Sequence, residues 1–115
     1  MNPEQTTGLR FLGKGGTTAN GCPSAYVTGH GTFLIQGWVT DRPDTVEIPH
    51  LLLGFVEPDT FIGAHLSDTG RGTFLLTGRA VTEPEALAQL DLYEDEAAIE
   101  VPLCERTFYG VAAAR

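Results

Sequence analysis

The sequence TGHGTFLIQG at residues 28–37 occurs again, slightly changed, as TGRGTFLLTG at residues 69–78. Seven of the ten aligned positions are identical, and the offset is 69 − 28 = 41 residues. A second similarity follows each copy, because VEIP at residues 46–49 resembles IEVP at residues 99–102 with an offset of 99 − 46 = 53. Two similarities in the same order indicate an internal duplication.

Each copy has the pattern of a β-hairpin. A Gly-X-Gly sequence stands between two apolar runs, at Gly29–Gly31 in the first copy and at Gly70–Gly72 in the second. Glycine adopts without strain the positive φ that tight hairpin turns require. A further glycine inside each predicted strand, Gly37 and Gly78, indicates a bulge, a sharp bend or the close approach of another backbone.

The strand predicted at residues 32–39 has two faces of different character. One face is shared between the copies, since Phe33 corresponds to Phe74, and we expect both phenylalanines to lie in a common core. The opposite face diverges between the copies and carries Leu34, Gln36 and Trp38. This face is a binding surface if it is open, and it is core if the predicted helix covers it.

The remaining elements follow from local patterns. Apolar runs predict lead-in strands at residues 24–28 and 61–66, a helical turn at residues 50–55 and a returning strand at residues 97–101. The sequence TEPEALAQ predicts a short helix near residues 83–90. In that helix Thr82 is the expected N-cap and Glu85 reaches back to complete a capping box.

These elements predict a mainly β fold in one domain. We expect a flexible N-terminal arm over residues 1–20, then a β-rich domain over residues 21–115 with repeats at 22–55 and 61–104. The two hairpin-plus-strand units are predicted to form a small antiparallel sheet, sandwich or barrel with one short helix. Exposed edge strands favour a homodimer.

The charge of the chain restricts its partners. The formal net charge is −8 at pH 7, and the pI is near 4.6. Such a surface repels nucleic-acid phosphates and anionic membranes, so we expect neither direct nucleic-acid binding nor membrane association. The same charge favours a basic protein partner, such as a transcription regulator.

The cysteines and the apolar runs predict a cytoplasmic location. Cys22 and Cys104 are the only cysteines, and residues 1–10 lack the apolar stretch of a signal peptide. The longest apolar run, residues 51–56, is too short to span a bilayer. A reduced cytoplasmic protein follows, with a Cys22–Cys104 disulfide left open as an alternative.

No motif for chemistry is complete. The run GLRFLGKG at residues 8–15 lacks the Ser or Thr that follows Lys14 in a phosphate-binding loop. The three histidines and Cys22 show no close paired spacing of a metal site. The sequence therefore predicts no catalytic residue, no metal and no cofactor, and an enzyme dependent on Cys22 or a histidine is the least favoured alternative.

Several segments resemble small uncharacterised actinobacterial proteins that share a Cys-Pro…Tyr…Gly-Thr-Tyr-Val-Val-Gln-Gly-Trp pattern. The similar segments here are CPSAY at residues 22–26, GTFLIQGW at 31–38, TEPEAL at 82–87 and IEVP at 99–102. The resemblance covers residues 22–40 and 72–103. Since such proteins are often encoded beside helix-turn-helix regulators, it implies a regulatory, partner-binding role and transfers no catalytic residue.

Two functions remain from the sequence. The first is a non-enzymatic regulatory module that binds a protein, with the Leu34, Gln36 and Trp38 face as the candidate surface. The alternative is a small-molecule-binding domain with a pocket between the two repeats, near Trp38, Arg79 and His50.

Overall fold

The protein is described by a computed structural model that covers residues 8–15 and 23–106. Its elements in chain order are β1 (Arg10–Lys14), β2 (Ser24–Val27), β3 (Thr32–Val39), β4 (Thr45–Pro49), a 3₁₀-helix (His50–Phe55), β5 (Thr60–Ile62), β6 (Leu66–Asp68), β7 (Thr73–Thr77), β8 (Arg79–Ala80), α1 (Pro84–Leu87) and β9 (Glu96–Glu105). The fold is mainly β, as predicted, and its strands form one open antiparallel sheet. Within the described ranges, neither helical segment has the length and apolar character needed to cross a membrane.

The strand β3 is the centre of the sheet. Along one edge it pairs with β9, from Thr32 opposite Pro102 to Trp38 opposite Glu96. Along the other edge it pairs first with β2 and then, at its last two residues, with β4. Because successive side chains of a strand point to opposite faces, every second side chain of β3 lies on the same side of the sheet.

The two hairpins exchange partners across a pseudo-two-fold axis. The hairpin strand β3 of the first copy pairs with β9 of the second, with Phe33 opposite Val101. The hairpin strand β7 of the second copy pairs with β4 of the first, with Phe74 opposite Ile48. The equivalent registers match the two sequence offsets, 74 − 33 = 41 and 101 − 48 = 53. Each hairpin therefore pairs with the strand that follows the other copy.

Gly37 and Gly78 mark the points where the neighbour along one edge of each hairpin strand changes. A Cβ at Gly37 would lie 2.8 Å from the Glu47 carbonyl oxygen, and one at Gly78 would lie 2.5 Å from the Glu100 carbonyl oxygen. Past these glycines, β3 pairs with β4 and β8 pairs with β9. A bulge, a sharp bend or the close approach of another backbone was expected at these two glycines, and the structure confirms the close approach.

The sheet separates two apolar clusters. The larger cluster contains Ala25, Phe33, Ile35, Val46, Ile48, Leu52, Ile62, Leu76, Ile99 and Val101, with Phe74 partly buried against it. The common core of the two phenylalanines is thus confirmed. The smaller cluster, which lies on the opposite face of β3, contains Leu34, Val81, Ala86 and Ala98.

The structure corrects three local predictions. Within the predicted arm of residues 1–20, Arg10–Lys14 forms β1 and pairs with β2, while residues 1–7 and 16–20 lie outside the described residues. The predicted strand at residues 61–66 is two separate strands, β5 against β9 and β6 against β7. The predicted capping box is wrong, because Glu83 is the N-cap and makes no side-chain cap hydrogen bond.

Cys104 lies in β9 and carries a free thiol, whereas Cys22 lies outside the described residues.

Candidate functional site: a polar pocket on the second hairpin

The predicted binding face of β3 is covered. Leu34 and Gln36 are 0% and 1% exposed, and Trp38 is half-buried. The helix α1 covers this face, since Leu34 packs with Ala86 in the smaller cluster. The surface predicted around Leu34 and Gln36 is therefore core, because the helix covers it.

The other two predicted site residues take separate partners. The ring of His50 lies 4.2 Å from the ring of Phe74, and its Nε2 is 3.5 Å from Asp68. Arg79 forms ion pairs with Glu100 and Glu83. Neither residue lines the pocket described below.

Gln36 helps to hold the chain that follows α1. Its Nε2 donates to Glu96 Oε1 at 3.0 Å and to the Asp91 carbonyl oxygen at 3.2 Å. The backbone N–H of Tyr93 donates to the same Glu96 oxygen at 3.0 Å. Gln36 is therefore a structural residue of the covered face.

The equivalent face of the second hairpin is open, and it carries a pocket. The pocket has a volume of about 240 Å³ and is lined by Thr40, Asp41, Arg42, Thr45, His65, Ser67, Leu75 and Thr77. Its floor comes from β4, β6 and β7, where Thr45 lies opposite Thr77 and Ser67 lies opposite Leu75. Leu75 corresponds to Leu34 by the offset 75 − 34 = 41.

A difference in loop length explains why only one hairpin is covered. In the second copy, residues 81–95 connect β8 to β9 and include α1. In the first copy, residues 40–44 connect β3 to β4 as a short turn. The short turn has no helix to lay over Leu75, so its residues form a wall of the pocket instead.

The lining of the pocket also differs in side-chain size and polarity from its covered counterpart. Two positions gain a hydroxyl group, since Val81 corresponds to Thr40 and Ala98 to Thr45. At two others a long polar side chain is replaced by a short one, since Tyr26 corresponds to Ser67 and Gln36 to Thr77. Apolar groups suit a packed helix, whereas hydroxyl groups suit water or a polar ligand. The two faces have therefore diverged in chemistry as well as in cover.

Hydrogen bonds fix the direction of the floor hydroxyls. Thr45 Oγ1 donates to the Asp44 carboxylate at 3.0 Å, and it lies 2.7 Å from Thr77 Oγ1. Because a hydroxyl has only one proton, Thr77 must be the donor to Thr45. The remaining capacity of Thr77 Oγ1 is that of an acceptor.

Four groups of the pocket have no partner within the described part of the chain. They are the Asp41 carboxylate, the two terminal nitrogens of Arg42, the His65 ring and the Ser67 hydroxyl. Arg42 makes one ion pair, through its Nε at 3.5 Å from Asp44, which leaves the outer edge of its guanidinium free. We call these four the uncommitted groups, and they are available to a ligand.

In two other charged clusters, by contrast, the carboxylate oxygens are hydrogen-bonded within the protein. Glu100, whose side chain is 8% exposed, accepts hydrogen bonds from Thr32, Arg79 and His30, the last at 2.5 Å. Burial disfavours the charged form of Glu100, but these hydrogen bonds outweigh it, so the pKa of its carboxyl is lowered.

The symmetry-related carboxylate is Glu47. It accepts from Thr73 Oγ1 at 2.5 Å and from Arg71 Nη2 at 2.9 Å. The hydrogen bond from Thr73 is the main cause that lowers the pKa of Glu47, against a smaller opposing effect of burial. Both clusters tie a hairpin turn to the strand beside it, and their hydrogen-bonding groups are occupied by the protein itself.

The described residues bring together no three His, Cys, Asp or Glu side chains that could hold a metal ion.

No protein-family model matches the chain, and neither a curated protein nor a solved structure is significantly similar to it.

Sequence reasoning missed the pocket because its walls come from separate turns and strands. A signal was nevertheless present in the duplication. Aligning the copies places Thr77 against Gln36, Ser67 against Tyr26 and Thr45 against Ala98, and each change shortens the side chain or adds a hydroxyl.

Proposed function

We propose that this protein is a non-enzymatic binding module that takes a small polar ligand in the pocket on the second hairpin. The observation that carries the proposal is the contrast between the two equivalent faces. One is sealed by α1 over Leu34, and the other is open over Leu75 and lined by uncommitted groups. An open, concave face lined by polar groups that the protein itself leaves unoccupied has the features of a binding site.

Size and polarity restrict the ligand. The volume of about 240 Å³ lies below the roughly 300–1,000 Å³ that is typical of sites for drug-sized molecules. Leu75 is the single large apolar side chain of the lining, so hydrogen bonds rather than apolar burial must provide specificity. A small metabolite fits these limits better than a peptide or a flat cofactor.

The experiment is a ligand screen by thermal shift, followed by NMR titration, on the wild type and on Ser67→Tyr. This substitution places at the pocket the residue that the covered face has at the equivalent position, Tyr26, whose larger ring should occupy the space. We expect ligand-dependent stabilisation of the wild type that Ser67→Tyr loses. Glu105→Tyr, which adds the same ring at an exposed position of β9, is the matched control and should retain binding. Stabilisation that survives Ser67→Tyr would place the ligand elsewhere and overturn the proposal.

A second candidate function is the binding of a basic protein partner, such as a DNA-binding regulator in the cytoplasm. The formal net charge of −8, from 15 acidic and 7 basic residues, favours it. The resemblance to small actinobacterial proteins points the same way. Binding of a purified basic partner should then weaken steeply as salt rises, and light scattering of the protein alone would separate such a complex from a homodimer.

A further inference from the structure

Building on the proposed pocket, we infer that its ligand is a small zwitterion with one carboxylate and one ammonium group, of the size of an α-amino acid. The inference depends on the proposed function for the location of the site. It adds the chemical class of the ligand, which follows from the hydrogen-bonding and charge inventory of the pocket.

The carboxylate of the ligand has a partner in Arg42. A guanidinium presents its two terminal nitrogens as a planar fork that matches a carboxylate. In Arg42 these nitrogens have no partner among the described residues, since its ion pair with Asp44 uses Nε. The hydroxyl of Ser67, also uncommitted, can donate to the same anionic group.

The ammonium group of the ligand has partners in Asp41 and Thr77. The Asp41 carboxylate is an acceptor without a partner in the described ranges. Thr77 lines the pocket, and its Oγ1 keeps the capacity to accept while it donates its proton to Thr45. An ammonium group has three donors and no acceptor, so it complements these two oxygens.

The charges around the pocket disfavour the simpler ligand classes. Asp41 and Arg42 line the pocket with opposite charges, and Asp44 beside Arg42 brings the local formal charge to −1, which disfavours a strong anion. Inorganic phosphate would meet Asp41 as well as Asp44 behind Arg42. A simple amine would leave the Arg42 fork without a partner. Only a ligand with both charges satisfies both groups.

The lining favours a short ligand side chain. Leu75 is its single large apolar contact, so a long apolar side chain would find little surface to pack against. His65 can donate or accept at the rim, depending on its tautomer. Amino acids of the size of alanine, serine or valine are therefore the probes.

Isothermal titration calorimetry with these three amino acids tests the inference. Each has two matched derivatives: the N-acetyl amino acid, which lacks the ammonium group, and the amide, which lacks the carboxylate. We expect at least one amino acid to bind and each of its derivatives to bind about tenfold more weakly or worse, since a charge-assisted hydrogen bond is lost in each. NMR shifts at Thr77 and Ser67 identify the pocket as the site.

Two variants assign the charges. Arg42→Gln should weaken the amino acid about tenfold and remove the preference for it over its amide. Asp41→Asn should remove the preference for the amino acid over its N-acetyl form. Arg10→Gln, which breaks another exposed ion pair, and Glu105→Gln are the matched controls and should bind like the wild type. Thermal unfolding confirms that each variant is folded.

The outcomes separate this inference from the proposed function. The NMR signals of Thr77 and Ser67 could shift with a neutral sugar, a carboxylic acid, an amine or phosphate and not with any amino acid. In that case the inference of a zwitterionic ligand is wrong, and the pocket remains a ligand site. If none of these probes, and nothing in the wider screen, shifts the pocket residues, both statements are wrong. Equal binding of an amino acid and its derivatives would also overturn the zwitterion.

Discussion

At the scale of single residues, the duplication has produced equivalent positions with unequal roles. Phe33 and Phe74 occupy the same place in their hairpins, opposite Val101 and Ile48. Phe33 is fully buried, whereas Phe74 is only half-buried and stacks with His50 at the edge of the core. Replacing each ring by alanine should therefore lower the free energy of unfolding in proportion to how deeply the ring is buried.

We expect Phe33→Ala to lower the free energy of unfolding by about 3–5 kcal/mol, the usual cost of a cavity left by a buried aromatic ring. Phe74→Ala should cost at least about 1 kcal/mol less, because its ring is only partly buried. Urea denaturation followed by Trp38 fluorescence measures both. Equal losses from the two substitutions would contradict the unequal depths of the rings.

The two carboxylates that hold the hairpin turns make stability depend on pH. The pKa values of Glu100 and Glu47 are both lowered in the folded protein. In the unfolded chain a glutamate titrates near about 4.3. A lowered folded pKa means that the stabilisation is present above the unfolded pKa and is lost as pH falls through the folded pKa.

We therefore expect the wild type to lose stability as the pH falls from about 5 through the folded pKa of Glu100. Glu100→Gln should be less stable at neutral pH, because a neutral amide replaces the charged acceptor of Arg79. Its loss of stability with falling pH should be shallower than that of the wild type. Urea denaturation across this pH range compares the two, with Glu105→Gln as an exposed control. Parallel profiles for the wild type and Glu100→Gln would contradict the role of this carboxylate.

At the scale of the elements, two glycines allow the strands to change partners. Gly37 and Gly78 lie where the neighbour along one edge of the hairpin strand changes, from β2 to β4 in the first copy and from β6 to β9 in the second. At both positions the space for a Cβ is taken by a backbone carbonyl oxygen, of Glu47 and of Glu100 respectively. A backbone atom cannot rotate away as a flexible side chain can, so these positions tolerate only glycine without a shift of the strands.

Gly37→Ala and Gly78→Ala should each lower the free energy of unfolding by about 1–3 kcal/mol, the usual range for an overpacked site. Gly54→Ala is the control, because a Cβ there would meet nothing within 4 Å. Its effect should stay within about 1 kcal/mol. Thermal or urea denaturation measures all three, and a Gly78→Ala protein as stable as the wild type would show that the two strands are free to separate.

The sequence predicts those elements whose signals are local and misses features that depend on contacts between distant segments. Alternation and glycine turns predict β3 at residues 32–39 with its observed bounds and place Phe33 in the core, because both signals are local. Whether Leu34 is covered depends on the position at which α1 packs against the sheet. That position is set by tertiary contacts, so no local sequence pattern predicts it. The pocket likewise joins the turn at Asp41 to strands more than twenty residues away, so only the alignment of the copies points to it.

At the scale of the whole molecule, the halves of the chain depend on each other. The longest strand pairing joins β3 of the first copy to β9 of the second, and β4 of the first copy pairs with β7 of the second. The core residues Phe33 and Val101 therefore meet only when both copies are present. A single copy has a hairpin without its strand partner and a buried face without its cover.

This interdependence predicts the behaviour of the chain when it is divided in the turn after Glu57, between the 3₁₀-helix and β5. Fragments 1–57 and 58–115 should each lack cooperative unfolding on their own, because each one loses the β3–β9 and β4–β7 pairings. Mixed in equal amounts, they should restore the circular dichroism spectrum and a single cooperative transition, since every strand pair is again available. The matched control is the uncut chain under the same conditions, and the titration is followed by Trp38 fluorescence and NMR. A fragment 1–57 that folds cooperatively as a monomer would show that the first copy buries its hairpin without the second, and the exchange of strands between copies would then not be what holds the molecule together.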